Sequence, residues 1–288
     1  MAQIDQTAKL ADGRILGYAE FGDPSGTPIL FFHGFPASRL EGSILDDACL
    51  KANIRLITPD RPGFGLSEPK PARSFLDWPV DVSGLAGHLG LYRFGILAVS
   101  ESTPYALACA LRIPEHISTI GLVSPMSPLR YREVLSQMRP DQRMLYRRAA
   151  RCPMLARTAL TRCMHEANVD FPAVMSRLMD DGPVAETSVL HTPRVQEMLH
   201  ANLKEAFRQG VEAAVQEVRL WSKPWQLQWQ DIRRNVLIWE GRQDTVTPPI
   251  MAEKLASLLP RTLTRWYPHE GHSLLFARAE QILEQLLS

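Results

Sequence analysis

The sequence predicts an α/β protein with a mostly parallel sheet covered by helices, and three observations lead there. Short β-rich runs alternate with longer amphipathic stretches, the pattern of strands joined by helical crossovers. That pattern stops at about Met126, where the chain turns helical and rich in Arg, Met and Leu, and it resumes after Trp225, so a helical block interrupts one sheet. The chain has 288 residues, 45% of them hydrophobic and 22% charged, which is a globular composition with enough length for a large core.

The elements follow in order. Residues 14–19 and 29–32 read as strands, the second ending in His33-Gly34-Phe35-Pro36. Residues 54–58 form another and run into Asp60-Arg61-Pro62-Gly63-Phe64-Gly65-Leu66-Ser67. Residues 94–99 lead directly into Ser100, and residues 117–123 end in Ser124-Pro125. Helices are expected between them over 38–52, 76–89 and 103–112. Within 126–225, Pro140, Pro153, Pro172, Pro183 and Pro193 predict several short helices, because proline lacks an N–H and clashes with the preceding turn. Strands at 235–239 and 263–267 then alternate with helices at 249–259 and 273–287. The expected organisation is a core of residues 1–125 and 226–288 carrying a helical cap of residues 126–225.

Charge and composition narrow the function. A formal net charge of +1 offers no electrostatic footprint for nucleic acid. No apolar run is long enough to cross a bilayer, and the opening Met1-Ala2-Gln3-Ile4-Asp5-Gln6 lacks the basic start and apolar middle of a signal peptide, so a cytoplasmic protein with no membrane partner is expected. Cys49, Cys109, Cys152 and Cys163 are scattered, without a C-x-x-C pair or histidines at ligand spacing. No metal or cofactor is expected, and the chain is expected to be a monomer or homodimer.

In an open parallel sheet, functional groups gather where the strands end. The loop after 94–99 supplies Ser100, the loop after 235–239 supplies Asp244, and the loop after 263–267 supplies His272. A serine hydroxyl needs an imidazole to take its proton, and the imidazole needs a carboxylate behind it to fix the tautomer and offset the charge. Ser100 stands on a strand-to-helix turn flanked two residues away by Ala98 and Ser102. These are small residues at the positions that a G-x-S-x-G elbow keeps free of bulk.

The chain resembles the α/β-hydrolases over nearly its full length. The resemblance is carried by the hairpin Asp12-Gly13-Arg14-Ile15-Leu16-Gly17-Tyr18, by His33-Gly34-Phe35-Pro36, by the Asp60 to Ser67 segment, by Val99-Ser100 with Pro104-Tyr105-Ala106-Leu107-Ala108, by Gly241-Arg242-Gln243-Asp244, and by Gly271-His272. It departs from the pattern at Ser100-Glu101-Ser102-Thr103, where close relatives follow the serine with glycines. The resemblance implies an α/β-hydrolase fold and a Ser100–His272–Asp244 triad. It implies oxyanion donors at the amides of Phe35 and Glu101, since Pro36 has no amide hydrogen. Hydrolysis of a small carboxylic ester through an acyl-enzyme is expected, with activity rising through an ionisation near neutrality. Lactone, amide and carbon–carbon cleavage stay open, as does a small-molecule-binding member with little turnover.

Competing residues accompany each candidate. Ser102 is the nucleophile of a shifted frame, but that frame puts Pro104 at a crowded position, whereas proline suits the early helix position of the Ser100 frame. His269 is a rival base and Glu240 a rival acid. His33 is expected to organise its loop, Asp60 to stabilise its turn, and the Glu101 side chain to turn away. Arg147, Arg148 and Arg151 read as a solvated face. Trp221, Trp225 and Trp229 read as packing the helical block onto the core, and the residues lining the acyl pocket are not assigned within 126–225.

Overall fold

A computed structural model describes residues 2–180 and 183–288. Eight strands form one sheet: β1 (Gln3–Lys9), β2 (Ile15–Gly22), β3 (Thr27–Phe32), β4 (Ile54–Pro59), β5 (Phe94–Val99), β6 (Ile117–Val123), β7 (Val236–Gly241) and β8 (Thr262–Tyr267), in the order β1-β2-β4-β3-β5-β6-β7-β8. The β1–β2 and β2–β4 pairs are antiparallel and every later pair is parallel, which is the mostly parallel sheet the alternation predicts.

Thirteen helices are described: α1 (Asp46–Lys51), α2 (Trp78–His88), α3 (Thr103–Arg112), α4 (Arg132–Gln137), α5 (Pro140–Arg151), α6 (Pro153–Val169), α7 (Phe171–Asp180), α8 (Val184–Leu190), α9 (Pro193–Ala206), α10 (Glu212–Trp221), α11 (Ile250–Leu258), α12 (Leu274–Ala277) and α13 (Ala279–Leu287). Seven of them, α4 to α10, stand between β6 and β7. Pro140, Pro153, Pro172, Pro183 and Pro193 each sit at or just before the first turn of a helix, where the missing N–H has no intrahelical acceptor to lose.

Residues alternate across the sheet, so the two faces build two cores. Leu30, Phe32, Ile96 and Ala98 face one side with α2 and α3, while Ile29, Phe31, Leu97 and Val99 face the other with α1 and α13. Full burial of each such aliphatic or aromatic side chain contributes roughly 1.5–3 kcal/mol. Gly121 in β6 leaves the space filled by Trp239, Leu97 and Leu286; a Cβ there would lie 2.7 Å from the Trp239 ring.

Three elements differ from the sequence reading. Strand β1 is exposed along most of its length and polar, so it lacks the alternation that marks a strand; pairing with β2 holds it. The stretch read as one helix over 38–52 begins as a 3-10 helix, Arg39–Leu45, because Gly42 is pressed against Thr58 and Phe21 of the sheet. The last helix is broken at Arg278, where φ is −128°, into α12 and α13.

The helical block is tied to the core through charge. Glu217 of α10 is fully buried and pairs with Arg73 at 2.6 Å and Arg61 at 3.2 Å, and it accepts from the Tyr105 hydroxyl. Arg61 in turn donates to the carbonyls of His33 and Gly34, the latter at 2.9 Å. Asn202 of α9 accepts from the Ser38 amide at 2.7 Å and from its hydroxyl at 2.8 Å.

Candidate active site

Strand β5 is buried at every residue and ends at Ser100, whose φ of +55° turns the chain sharply into α3. A non-glycine residue in that region costs about 1–3 kcal/mol, and the turn is held by surrounding bonds. The Met126 amide and the Thr103 hydroxyl both donate to the Ser100 carbonyl, at 3.1 and 2.7 Å. Pro104 occupies the first turn of α3.

Ser100, His272 and Asp244 form one hydrogen-bonded chain. His272 Nε2 lies 3.1 Å from Ser100 Oγ, and His272 Nδ1 lies 2.8 Å from Asp244 Oδ2. Asp244 is buried at the turn after β7. The amides of Val246 and Thr247 donate to its Oδ1 at 2.8 Å, and the Thr247 hydroxyl lies 3.0 Å from Oδ2. Ser124, after β6, fastens the neighbouring loops: its carbonyl accepts from Thr247 Oγ1 at 2.9 Å and its hydroxyl donates to the His272 carbonyl at 3.2 Å.

The rival residues are placed elsewhere. The Ser102 hydroxyl is fully buried against the Phe32 and Val99 carbonyls at 2.9 and 2.7 Å. His269 is exposed in the turn after β8. Glu240 is fully buried with no partner for either carboxyl oxygen among the described residues, and burial, then the neighbouring Asp244 charge, pushes its pKa well above the usual carboxylate range.

His33 is buried and held neutral, its pKa driven well down by burial and by Arg61. Its Nδ1 bonds to the Gly34 carbonyl at 3.0 Å, and its Nε2 accepts from the Arg61 amide at 3.2 Å, so the ring organises the loop that carries Phe35. The Gly34 amide is occupied by the Glu41 carboxylate at 2.7 Å. Phe35 precedes a cis peptide to Pro36. The Glu101 amide lies in the short 3-10 turn Ser100–Ser102, at the start of the helical segment where amides lack intrahelical acceptors. Asp60 accepts from the Arg39 and Leu66 amides at 2.6 and 2.9 Å and so holds its turn.

Four features escape sequence reasoning. The Glu101 side chain does not turn away: its Oε2 accepts from Ser100 Oγ at 2.5 Å and its Oε1 accepts from the Tyr146 hydroxyl of α5 at 3.2 Å. Glu41 and Glu186 both reach the same cavity, Glu186 by accepting from the Ser273 amide at 3.0 Å and from the Ser273 hydroxyl. Thr247 carried a detectable signal, a hydroxyl three residues after an aspartate in a turn. Glu41 and Glu186 carried none, because nothing local links them to Ser100.

Electrostatics at His272 oppose the neutral imidazole. Burial acts to lower its pKa, but the charge and hydrogen bond of Asp244, followed by Glu186 and Glu101, outweigh it and raise the pKa to about 9. The expected ionisation near neutrality is thereby displaced upward. Glu41 is raised to about 7, chiefly by burial.

A cavity of about 320 Å³ opens over Ser100 and His272. Its wall is mostly apolar, with Val174, Met175, Leu178, Leu199 and Leu203 from the helical block facing Leu275 and Phe276 from the core. Trp221 and Trp225 are buried outside this wall. Trp221 packs edge-on against Phe35 at 4.8 Å, and Trp225 packs against Phe75 at 5.9 Å. Arg147, Arg148 and Arg151 are exposed on α5. Among the described residues, no helix is long and apolar enough to cross a membrane, and no group of three or more His, Cys, Asp or Glu side chains is placed to hold a metal ion.

A family model described as alpha/beta hydrolase fold matches residues 27–279. The uncharacterized hydrolase YcgS of Bacillus subtilis (strain 168) is 26% identical over 200 residues, 68% of this chain and 64% of that protein, so the chain spans less than two thirds of that relative's length. Among solved structures, an esterase from Exiguobacterium antarcticum superimposes with a TM-score of 0.71 at 18% identity, covering 98% of both chains. The enol-lactonase from Burkholderia xenovorans LB400 does so with a TM-score of 0.69 at 17% identity, again over 98% of both chains. At these identities the structural likeness establishes the fold.

Proposed function

The chain belongs to the α/β hydrolase fold family, and from that premise we propose that it is a serine hydrolase that cleaves a small carboxylic ester or lactone through an acyl-enzyme on Ser100. The observation that carries this reading is the hydrogen-bonded chain Ser100–His272–Asp244, with Ser100 held at positive φ on the strand-to-helix turn.

Each step uses a group already in place. Ser100 Oγ attacks the carbonyl carbon and its proton passes to His272 Nε2. Asp244 offsets the imidazolium that forms and keeps Nδ1 as the protonated nitrogen. The former carbonyl oxygen becomes an oxyanion facing the amides of Phe35 and Glu101, each such donor contributing roughly 2.7–4 kcal/mol. Collapse breaks the bond to the leaving oxygen, which takes the proton from His272. Water, deprotonated by the same imidazole, then releases the acid and restores the serine. Residues 126–225 act as a cap, whose apolar side chains form the upper wall of the cavity and receive the acyl group.

A second reading, a small-molecule-binding member with slow turnover, draws on the Glu101 contact with the Ser100 hydroxyl. One experiment separates the two. The full chain is treated with a fluorophosphonate at pH 9.5, and the adduct is mapped by mass spectrometry while hydrolysis of p-nitrophenyl acetate is followed. Labelling of Ser100 that abolishes hydrolysis is expected; hydrolysis that survives complete labelling, or an unlabelled Ser100, rejects the nucleophile.

A further inference from the structure

The Ser100 hydroxyl carries one proton and faces two acceptors. Glu101 Oε2 is the nearer, at 2.5 Å against 3.1 Å for His272 Nε2. The shorter distance is that of a hydroxyl donating to a charged oxygen. In that bond the serine hydroxyl is the donor. Its hydrogen then points away from the imidazole, and Nε2 makes its own contact only by donating.

The carboxylate is fixed in this position. Its second oxygen accepts from the Tyr146 hydroxyl at 3.2 Å, and the Tyr146 ring packs edge-on against Trp221 at the end of α10. Glu101 is 6% exposed. A glycine at 101 would have no group that could reach Oγ.

We propose that Glu101 is a positioning residue that withdraws the Ser100 proton from His272, so that in the resting protein Nε2 donates to Oγ instead of accepting from it. The proposal rests on Ser100 and His272 acting together. The surrounding charges agree with it. Asp244 lies at Nδ1, Glu186 of α8 and Glu101 act on the ring, and Glu41 interacts with it from the 3-10 helix Arg39–Leu45, with Arg61 acting on Glu41. Asp244, Glu186 and Glu101 thus favour the imidazolium, the form that donates from Nε2. Attack on a substrate requires Glu101 to release the hydroxyl and His272 to lose its proton, so that Oγ–H turns to Nε2.

The test combines imidazole ¹⁵N NMR of His272 with kcat/KM for p-nitrophenyl acetate, both from pH 6 to 10.5, in the full chain and in Glu101→Gln and Glu101→Gly. Wild-type His272 should be protonated at pH 7, with kcat/KM rising through about pH 9. Removing the charge should lower both inflections together by roughly one unit and raise kcat/KM at pH 7 about tenfold. A neutral wild-type imidazole at pH 7 overturns the proposal without any variant. So do variant profiles that superimpose on the wild type, or activity lost at every pH with the inflection unmoved. Fluorophosphonate labelling keeps the two ideas apart: an unlabelled Ser100 rejects the nucleophile, whereas a labelled Ser100 with unmoved inflections rejects only the role of Glu101.

Discussion

Thr247 braces Asp244 at both carboxylate oxygens: its amide donates to Oδ1 at 2.8 Å and its hydroxyl lies 3.0 Å from Oδ2, with the same hydroxyl 3.1 Å from His272 Nδ1. The carboxylate therefore has its orientation set before it meets the imidazole, and the two residues should be separable by mutation. Asp244→Asn should fold, by circular dichroism, yet lose activity on the order of ten-thousandfold, because an amide favours the wrong imidazole tautomer. Thr247→Val keeps the shape and removes one bond, for a loss of about tenfold in kcat. A folded, fully active Asp244→Asn would put the acid elsewhere.

The two serines of the elbow differ in what their hydroxyls touch. Ser100→Ala should lower ester hydrolysis at least about a thousandfold, leaving only binding and oxyanion catalysis. Ser102 spends its hydroxyl on the Phe32 and Val99 carbonyls, at the junction of β3 and β5. Ser102→Ala should keep activity within roughly tenfold and cost about 1 kcal/mol of stability. The opposite ranking in a paired assay would favour the shifted frame.

The proposed base must be neutral to accept the serine proton, and Asp244, outweighing burial, raises the His272 pKa to about 9. Activity should therefore increase with pH through that value, and at pH 7 the enzyme should run at roughly a hundredth of its plateau rate. His269, exposed and two turn residues beyond β8, should not matter: His269→Ala should keep the full profile. A wild-type plateau already reached at pH 7.5, or a dead His269→Ala, would contradict the assignment.

The sheet was legible because its parallel strands are short apolar runs ended by Gly, Pro and Ser, and Ser100, Asp244 and His272 were reachable because strand ends collect at one edge. Strand β1 was not, since Gln3, Asp5, Gln6 and Lys9 leave no alternation to read. The orientation of Glu101 escaped for another reason: it depends on Tyr146, 45 positions away. Glu41 and Glu186 likewise join the site only through tertiary packing. Local chemistry marks the backbone turn that presents a group, whereas the charges set around that group come from segments with no local relation to it.

Glu240 tests the electrostatics through stability. In the unfolded chain its carboxyl ionises near pH 4.5, while in the fold burial and Asp244 keep it protonated to well above that. The folded state therefore binds an extra proton, and stability falls as pH rises above about 4.5, by roughly 1.4 kcal/mol per unit until the folded pKa is reached. Glu240→Gln removes that dependence. It should be more stable than wild type at pH 8 and gain less at pH 5, as read from urea unfolding at the two pH values. An equal change at both would mean that Glu240 is ionised in the fold.

Substitutions in the apolar wall should change which acyl groups fit more than they change the chemical step, because that wall contacts substrate but not the reacting atoms. Leu178, Leu199 and Leu203 line the cavity from three positions on α7 and α9, whereas Trp221 and Trp225 are packed behind it. Replacing any of the three leucines by alanine opens room for about three carbons, which should shift the ratio of kcat/KM for p-nitrophenyl octanoate over acetate by roughly tenfold. Trp225→Ala should instead destabilise the fold, by about 3–5 kcal/mol, with the ratio unchanged in whatever protein remains folded. If the three leucine variants fold and all keep the wild-type ratio, the acyl group lies elsewhere and the helices of 126–225 do not act as its cap.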